Sequence, residues 1–261
     1  MDTRRQPRRI ALLIQYDGTD FQGSQIQPDC RTVQDEIEKS LNRILNEEIR
    51  IIFSGRTDAG VHALMQVAHF DTNSEISLNK LVIGANAVLD QDISILNAYH
   101  VNNDFHSRFD AIERIYEYVI YNSKTRSPFY HKNSLWIRRD IDTDLLYKTL
   151  KMFEGEHDFA SFCKKTSTDC NTIRTINYIR VVCDIPIIKI EISGNAFLHN
   201  MIRIMVGTAL DIAFNNMSPD IIKDLISQKD RSYSGITISS RGLYLKEIKY
   251  KPELKSYNSA F

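Results

Sequence analysis

The sequence predicts a mixed α/β protein of the α+β kind, in which one order of elements, β-α-β-β-α-β, is run through twice. Three observations carry that prediction. Apolar runs of strand length alternate with stretches whose apolar residues recur every three or four positions. Capping and turn residues fall between them. The second half of the chain then repeats the order of the first. With 261 residues and 43% apolar content, there is material for one large core or for two.

Residues 10–16 are a continuous apolar run closed by Asp17-Gly18, the pattern of a buried strand. Thr32 and Asp35 stand at the spacing of a capping box, and Val33, Ile37, Leu41, Ile44 and Leu45 follow as one helical stripe. Residues 49–54 and 64–71 are two strands that flank a polar joint at 55–63. Ser77 caps a second helix with Leu78, Leu81, Val82, Ala85, Val88 and Leu89, and residues 93–101 supply the last strand of this half.

The second half starts with residues 114–121, aromatic and β-branched with alternating faces. Thr143 opens a helix bearing Leu146, Leu150 and Phe153 that ends near Gly155. Residues 173–184 and 187–193 pair as a hairpin broken at Pro186, 197–214 form a long apolar helix, and 242–250 close as a strand. A short extra helix begins at Ser218-Pro219, with serine as cap and proline in the first turn. Each half has the split β-α-β order of a ferredoxin-like domain. The boundary falls near residues 103–105, giving an N-terminal domain at 1–104 and a C-terminal domain at 105–261.

Lysine plus arginine equals aspartate plus glutamate at 33 each, so no global field marks a nucleic-acid binder, and an anionic partner has to be met by a local patch. The pairs Arg4-Arg5 and Arg8-Arg9 fit either phosphate contacts or a frayed, solvated tail. The four cysteines, Cys30, Cys163, Cys170 and Cys183, form no C-x-x-C pair and have no histidine at zinc-ligand spacing, so they are expected to be reduced and structural. No signal-peptide pattern follows Met1, and no run approaches the roughly 18 apolar residues of a membrane span. A cytoplasmic protein without a membrane partner is the expectation.

The densest chemistry lies in Phe53-Ser54-Gly55-Arg56-Thr57-Asp58-Ala59-Gly60-Val61-His62-Ala63, where a carboxylate, a guanidinium, an imidazole and two glycines share one joint between apolar runs. Two readings are open. Glycine lets a backbone turn sharply or approach a ligand closely, which suits a site. Thr57-Asp58-Ala59-Gly60 also suits an ordinary type I turn, with Asp early and Gly late.

The chain resembles the TruA-type tRNA pseudouridine synthases. The 55–63 stretch matches that family's catalytic motif, and further blocks fall in the family's order: Tyr16-Asp17-Gly18-Thr19 with Phe21 and Gly23, Thr32-Val33-Gln34, Phe105-His106-Ser107-Arg108-Phe109, the Tyr116 and Tyr118 strand, Gly155-Glu156-His157-Asp158-Phe159, Gly194 to Arg203, and Gly242-Leu243-Tyr244-Leu245. The resemblance implies two ferredoxin-like domains with joined antiparallel sheets and an active cleft between them, in a homodimer. It implies conversion of uridine to pseudouridine in the anticodon stem-loop of tRNA, at positions 38, 39 and 40, with no cofactor and no metal.

By the same resemblance, Asp58 is the catalytic aspartate, Tyr116 the active-site tyrosine and Arg203 the cation that keeps Asp58 ionised. A carboxylate can serve at the sugar as nucleophile or as base, but burial favours its neutral acid unless a cation stands nearby. Arg203 lies among Met201, Ile202, Ile204, Met205 and Val206, so a buried guanidinium there needs an anion; the alternative is an arginine that reaches solvent at the helix edge. Tyr116 would stack on the target base, whereas Tyr118, on the same strand face, reads as core packing. Arg56, two residues before Asp58, is a candidate for the target's phosphate or for the space a flipped base leaves, against a plain surface arginine. His62 fits either a hydrogen bond in the loop or a contact to RNA. Arg108 fits either a phosphate contact or a surface position. His157 and Asp158 read as a structural element at a helix end.

Ser24 departs from the family's usual tryptophan, and Ser239-Ser240-Arg241 from its usual Ala-Pro segment. Neither touches Asp58, Tyr116 or Arg203, but both bear on which RNA is accepted. A paralogue acting on other tRNA positions or on ribosomal RNA is therefore one alternative. A catalytically silent RNA-binding protein on the same scaffold is another, although the chain lacks the aromatic stripe of an RNA recognition motif.

Overall fold

The computed structural model describes residues 7–164 and 171–261. Arg4, Arg5 and Cys170 lie outside them. In chain order the elements are β1 (Arg8–Tyr16), α1 (Val33–Leu45), β2 (Ile52–Phe53), β3 (His62–Thr72), α2 (Leu78–Val88), β4 (Ile93–Val101), β5 (Ala111–Asn122), β6 (Leu135–Ile137), α3 (Thr143–Lys151), β7 (Gly155–Asp158), β8 (Ile173–Asp184), β9 (Ile187–Gly194), α4 (Met201–Asn215), α5 (Ile221–Gln228), β10 (Leu243–Tyr250) and β11 (Asn258–Ser259). This is the mixed α/β class that the sequence predicts. The chain forms two compact units, Met1–Ile112 with Leu245–Phe261 and Glu113–Tyr244.

In the first unit β1 pairs antiparallel with both β3 and β4, and β2 pairs antiparallel with β3, the strand order of a split β-α-β domain. From Leu245, β10 runs beside β3, and β11 lies on the other flank beside β4. β1 starts at Arg8 because Arg9 stands opposite Asp71 in the β1–β3 register and binds its carboxylate at 2.7 Å, so this arginine pair is strand rather than frayed tail. Ile10, Leu12 and Ile14 are fully buried from β1, and Val33, Ile37, Leu41 and Leu45 are buried as the stripe of α1. Burial of each such side chain stabilises the unit by about 1.5–3 kcal/mol. Thr32 caps α1 by accepting the Asp35 N–H, and Ser77 caps α2 by accepting the Lys80 N–H.

In the second unit β9 lies between β5 and β8, all antiparallel, and β7 follows on β8. α4 is buried on most sides, through Met201, Ile202, Ile204, Met205, Val206, Ala209 and Leu210. It starts at residue 201 and not at 197, because Asn200 has φ +62° and sits outside right-handed helical space. Cys30, Cys163 and Cys183 are free. No helix among the described residues is long and apolar enough to cross a membrane.

Candidate active site

The chain enters the polar joint from β2 with its backbone already fixed. The Ser54 N–H donates to Val67 O at 2.8 Å, its hydroxyl donates to Gln66 Oε1 at 2.6 Å, and Gln66 Nε2 donates to Gly55 O at 3.1 Å. Gln66 is fully buried on β3. A buried amide is favourable only with partners, and these two bonds orient it toward the joint.

Thr57 is the anchor. Its N–H donates to Ser24 Oγ at 2.9 Å, its carbonyl accepts the Ser24 N–H at 3.1 Å, and its hydroxyl lies 2.8 Å from the Tyr16 hydroxyl. Burial pushes the Tyr16 phenol up to about 12, so it stays a neutral hydrogen-bonding group. The departure at Ser24 thus has a structural meaning: a small buried hydroxyl that satisfies the N–H of Thr57, the residue immediately before Asp58.

Asp58 follows at once, half-buried, and its carbonyl accepts the Val61 N–H at 3.1 Å. The turn therefore runs over residues 58–61, one residue later than the 57–60 turn read from sequence. Gly60 at its third position has φ +75°, the positive angle that a type II turn requires there. The Gly60 N–H donates to Phe21 O at 3.2 Å, so the 17–24 segment grips the joint on both sides of Asp58. The grip leaves no room at Gly18, where a Cβ would stand 2.0 Å from Val61 O.

His62 is buried at the start of β3, and its Nδ1 accepts the Gly18 N–H at 3.1 Å. The same nitrogen lies 3.1 Å from Asp17 Oδ1, which also takes the Thr19 N–H at 2.9 Å. Only one of those contacts can use Nδ1 at a time, because accepting from Gly18 needs the nitrogen's lone pair and donating to Asp17 needs a proton on it. Arg56 projects as an exposed side chain from the same joint. Arg108 is exposed on the 105–110 turn, its guanidinium 5.8 Å from the Phe109 ring. That turn is tied to β2, since Ser107 Oγ donates to Ile52 O at 2.6 Å. Arg56, Asp58 and His62 thus share one joint, and the turn bearing Arg108 is bonded to the strand that leads into it.

Tyr116 and Arg203 belong to the second unit. Tyr116 lies opposite Ile192 in the β5–β9 register, and its ring meets Phe197 edge to face at 5.1 Å. Arg203 is half-buried on the first turn of α4, where Nε donates to Ile238 O at 2.7 Å and one terminal nitrogen donates to Asn200 Oδ1 at 2.8 Å. Two of its donors are fixed by that carbonyl and amide, which holds the guanidinium in one orientation. Tyr118 is fully buried, and its hydroxyl donates to Ser239 O at 2.6 Å, as suits a packing residue. Its phenol is pushed well above the usual range by burial, against a smaller opposing pull from the Arg203 charge.

Sequence reasoning did not single out Gln66, Phe197, Asn200 or Ile238 as parts of these arrangements. Gln66 had a signal, a lone amide inside an otherwise apolar strand. Ile238 had none, because it contributes only a carbonyl.

Comparison with known proteins places the chain in a class of isomerases: it belongs to the tRNA pseudouridine synthase family, whose model matches residues 12–110 and 149–251. Asp58, Arg56, His62, Arg108 and Arg203 lie within the matched stretches, and Tyr116 lies between them. The chain is 40% identical over 243 residues to a protein named tRNA pseudouridine synthase A from Caldicellulosiruptor bescii, covering 93% of this chain and 100% of that one. It is likewise 40% identical to a tRNA pseudouridine synthase A from Coxiella burnetii over 95% of each chain, and to one from Francisella tularensis over 93% and 94%. A solved structure, "Crystal Structure of a Cbf5-Nop10-Gar1 Complex", aligns over 77% of this chain and 54% of that one at a TM-score of 0.35 and 14% identity, too slight a likeness to carry weight.

Proposed function

We propose that the protein converts uridine to pseudouridine in tRNA, at positions 38, 39 and 40 of the anticodon stem-loop, as a cytoplasmic homodimer. Asp58 acts at the sugar, as nucleophile or base, while the bond from C1′ to N1 breaks and the bond from C1′ to C5 forms. The C5 proton is then removed and N1 takes one up. Tyr116 stacks on the target base, Arg203 keeps Asp58 ionised, and Arg56, His62 and Arg108 engage the RNA. Stacking worth about 1–3 kcal/mol offsets much of the few kcal/mol needed to extrude a nucleotide.

The observation that supports this reading best is the anchoring of the peptide before Asp58, since a reacting carboxylate has to be held in place before substrate arrives. The test is Asp58→Ala, assayed for tRNA binding and for pseudouridine in the product. Undiminished binding with no product is the expected result. Product formation by the variant at the wild-type rate would overturn the assignment of Asp58. Mapping pseudouridine across total RNA, with and without the gene, separates the anticodon stem-loop from other tRNA or ribosomal RNA sites.

A further inference from the structure

The protein is neutral as a whole, yet residues 122–139 carry Lys124, Arg126, Lys132, Arg138 and Arg139 and no aspartate or glutamate. This segment lies outside both stretches matched by the family model. It leaves the end of β5, makes a loop over residues 123–134, and returns as β6, which runs parallel to the same end of β5 with Trp136 opposite Tyr121. The return folds it into one surface. Trp136 Nε1 donates to Ser123 O at 2.9 Å, Asn122 Nδ2 donates to Ile137 O and Arg139 O, and the Tyr130 ring stacks on Tyr121 at 5.2 Å.

The surface is aromatic as well as basic. Phe129 is 85% exposed, Trp136 43% and Tyr130 39%, large rings that folding has left in water. Lys124 pairs with Asp140 at 2.6 Å, and the Arg139 guanidinium lies 4.9 Å over the Phe214 ring. Arg126, Lys132 and Arg138 are exposed and have no partner among the described residues.

We infer that residues 122–139 form a contact surface for the RNA substrate in addition to the residues of the Asp58 joint, with the cations on phosphates and the exposed rings on bases or riboses. The inference rests on the reading that the substrate is RNA. Charge decides the occupant. A polyanion rewards cations with counterion release, and rings among them supply stacking that tolerates any sequence. A second copy of the chain docked here about a two-fold axis would set five cations against the same five.

Trp136 is the chain's single tryptophan, so its emission reports on this surface directly. Titration of the full-length protein with transcribed tRNA should change that emission with the midpoint of binding measured by filter retention. The triple variant Arg126→Ala, Lys132→Ala, Arg138→Ala should bind tRNA at least ten-fold more weakly near 0.1 M salt. The slope of log K against log salt should fall by about 2–3, on the order of one per phosphate contact removed. Phe129→Ala should weaken binding with little change in that slope, and the triple variant Arg126→Lys, Lys132→Ala, Arg138→Lys should recover most of the loss.

Unchanged emission at saturating tRNA, together with wild-type affinity in the triple variant, overturns the inference and leaves the catalytic reading intact. A triple variant that sediments as a smaller species than the wild type overturns it in favour of a subunit contact. Wild-type protein that quenches on tRNA but makes no pseudouridine supports the surface and removes the catalytic reading alone.

Discussion

Ser24 and Thr57 are joined twice, by the Thr57 N–H to Ser24 Oγ at 2.9 Å and by the Ser24 N–H to Thr57 O at 3.1 Å. The pair is fully shielded from solvent on the Ser24 side, so neither bond is exchanged cheaply for water. Asp58 inherits its position from this link.

Ser24→Ala removes one of the two bonds and leaves a buried N–H at Thr57 without its partner. Stability should fall by about 1–3 kcal/mol in urea unfolding. Turnover at saturating tRNA should drop while the apparent affinity for tRNA stays within two-fold. Equal losses in both would mean that Ser24 supports the fold and not the placement of Asp58.

Gly18→Ala drives a Cβ to 2.0 Å from Val61 O and 2.4 Å from Val61 C, both main-chain atoms that side-chain rotation cannot move away. Gly23→Ala meets Thr57 O at 2.8 Å and also holds φ +96°. Each should cost roughly 1–3 kcal/mol, and Gly18→Ala should cost more. Circular dichroism melts of the two variants, set beside their turnover, check the order.

Tyr116 separates ring from hydroxyl. Tyr116→Phe keeps the edge-to-face contact with Phe197 and should retain tRNA affinity, so a fall in turnover would assign work to the hydroxyl. Tyr116→Ala should lose about 1–3 kcal/mol of binding to a stem-loop substrate as well. Asp58 and Arg203 are best joined by a double-mutant cycle on turnover: coupling beyond about 1 kcal/mol supports the pairing, and strict additivity refutes it.

His69 gives the fold a pH dependence. It is buried on β3, its Nδ1 accepts the Ser107 N–H at 3.2 Å, and burial, with help from the nearby Arg9 charge, pushes its pKa down to about 4. The folded form therefore keeps the ring neutral at a pH where the unfolded chain, with a value near 6.5, already binds a proton. Stability should be full above about pH 6.5 and fall as pH drops from there toward 4. Urea midpoints measured across that interval should show the slope, and His69→Asn should flatten it.

The sequence was most legible where side-chain period and burial agree. Residues 93–101 are a strand with the same bounds in both, and Thr32 and Ser77 act as the caps their spacing suggests. β7 was missed because Gly155-Glu156-His157-Asp158 has no apolar alternation; it is a strand through its pairing with β8. β6 is three residues held by the end of β5, too short for any period. In the joint, the glycines marked a turn, but its register depended on Gly60 adopting positive φ, which residue type permits without requiring. Ser24 was visible as a departure, whereas its bond to Thr57 spans 33 residues and belongs to tertiary structure alone.

The first unit takes both of its outer strands from the far end of the chain, β10 beside β3 and β11 beside β4. β10 begins more than a hundred residues after β4 ends, so during synthesis the sheet of β1, β3 and β4 waits with open edges until that stretch has been made. Loss of residues 245–261 would accordingly injure the unit built mostly from residues that precede them by more than a hundred positions.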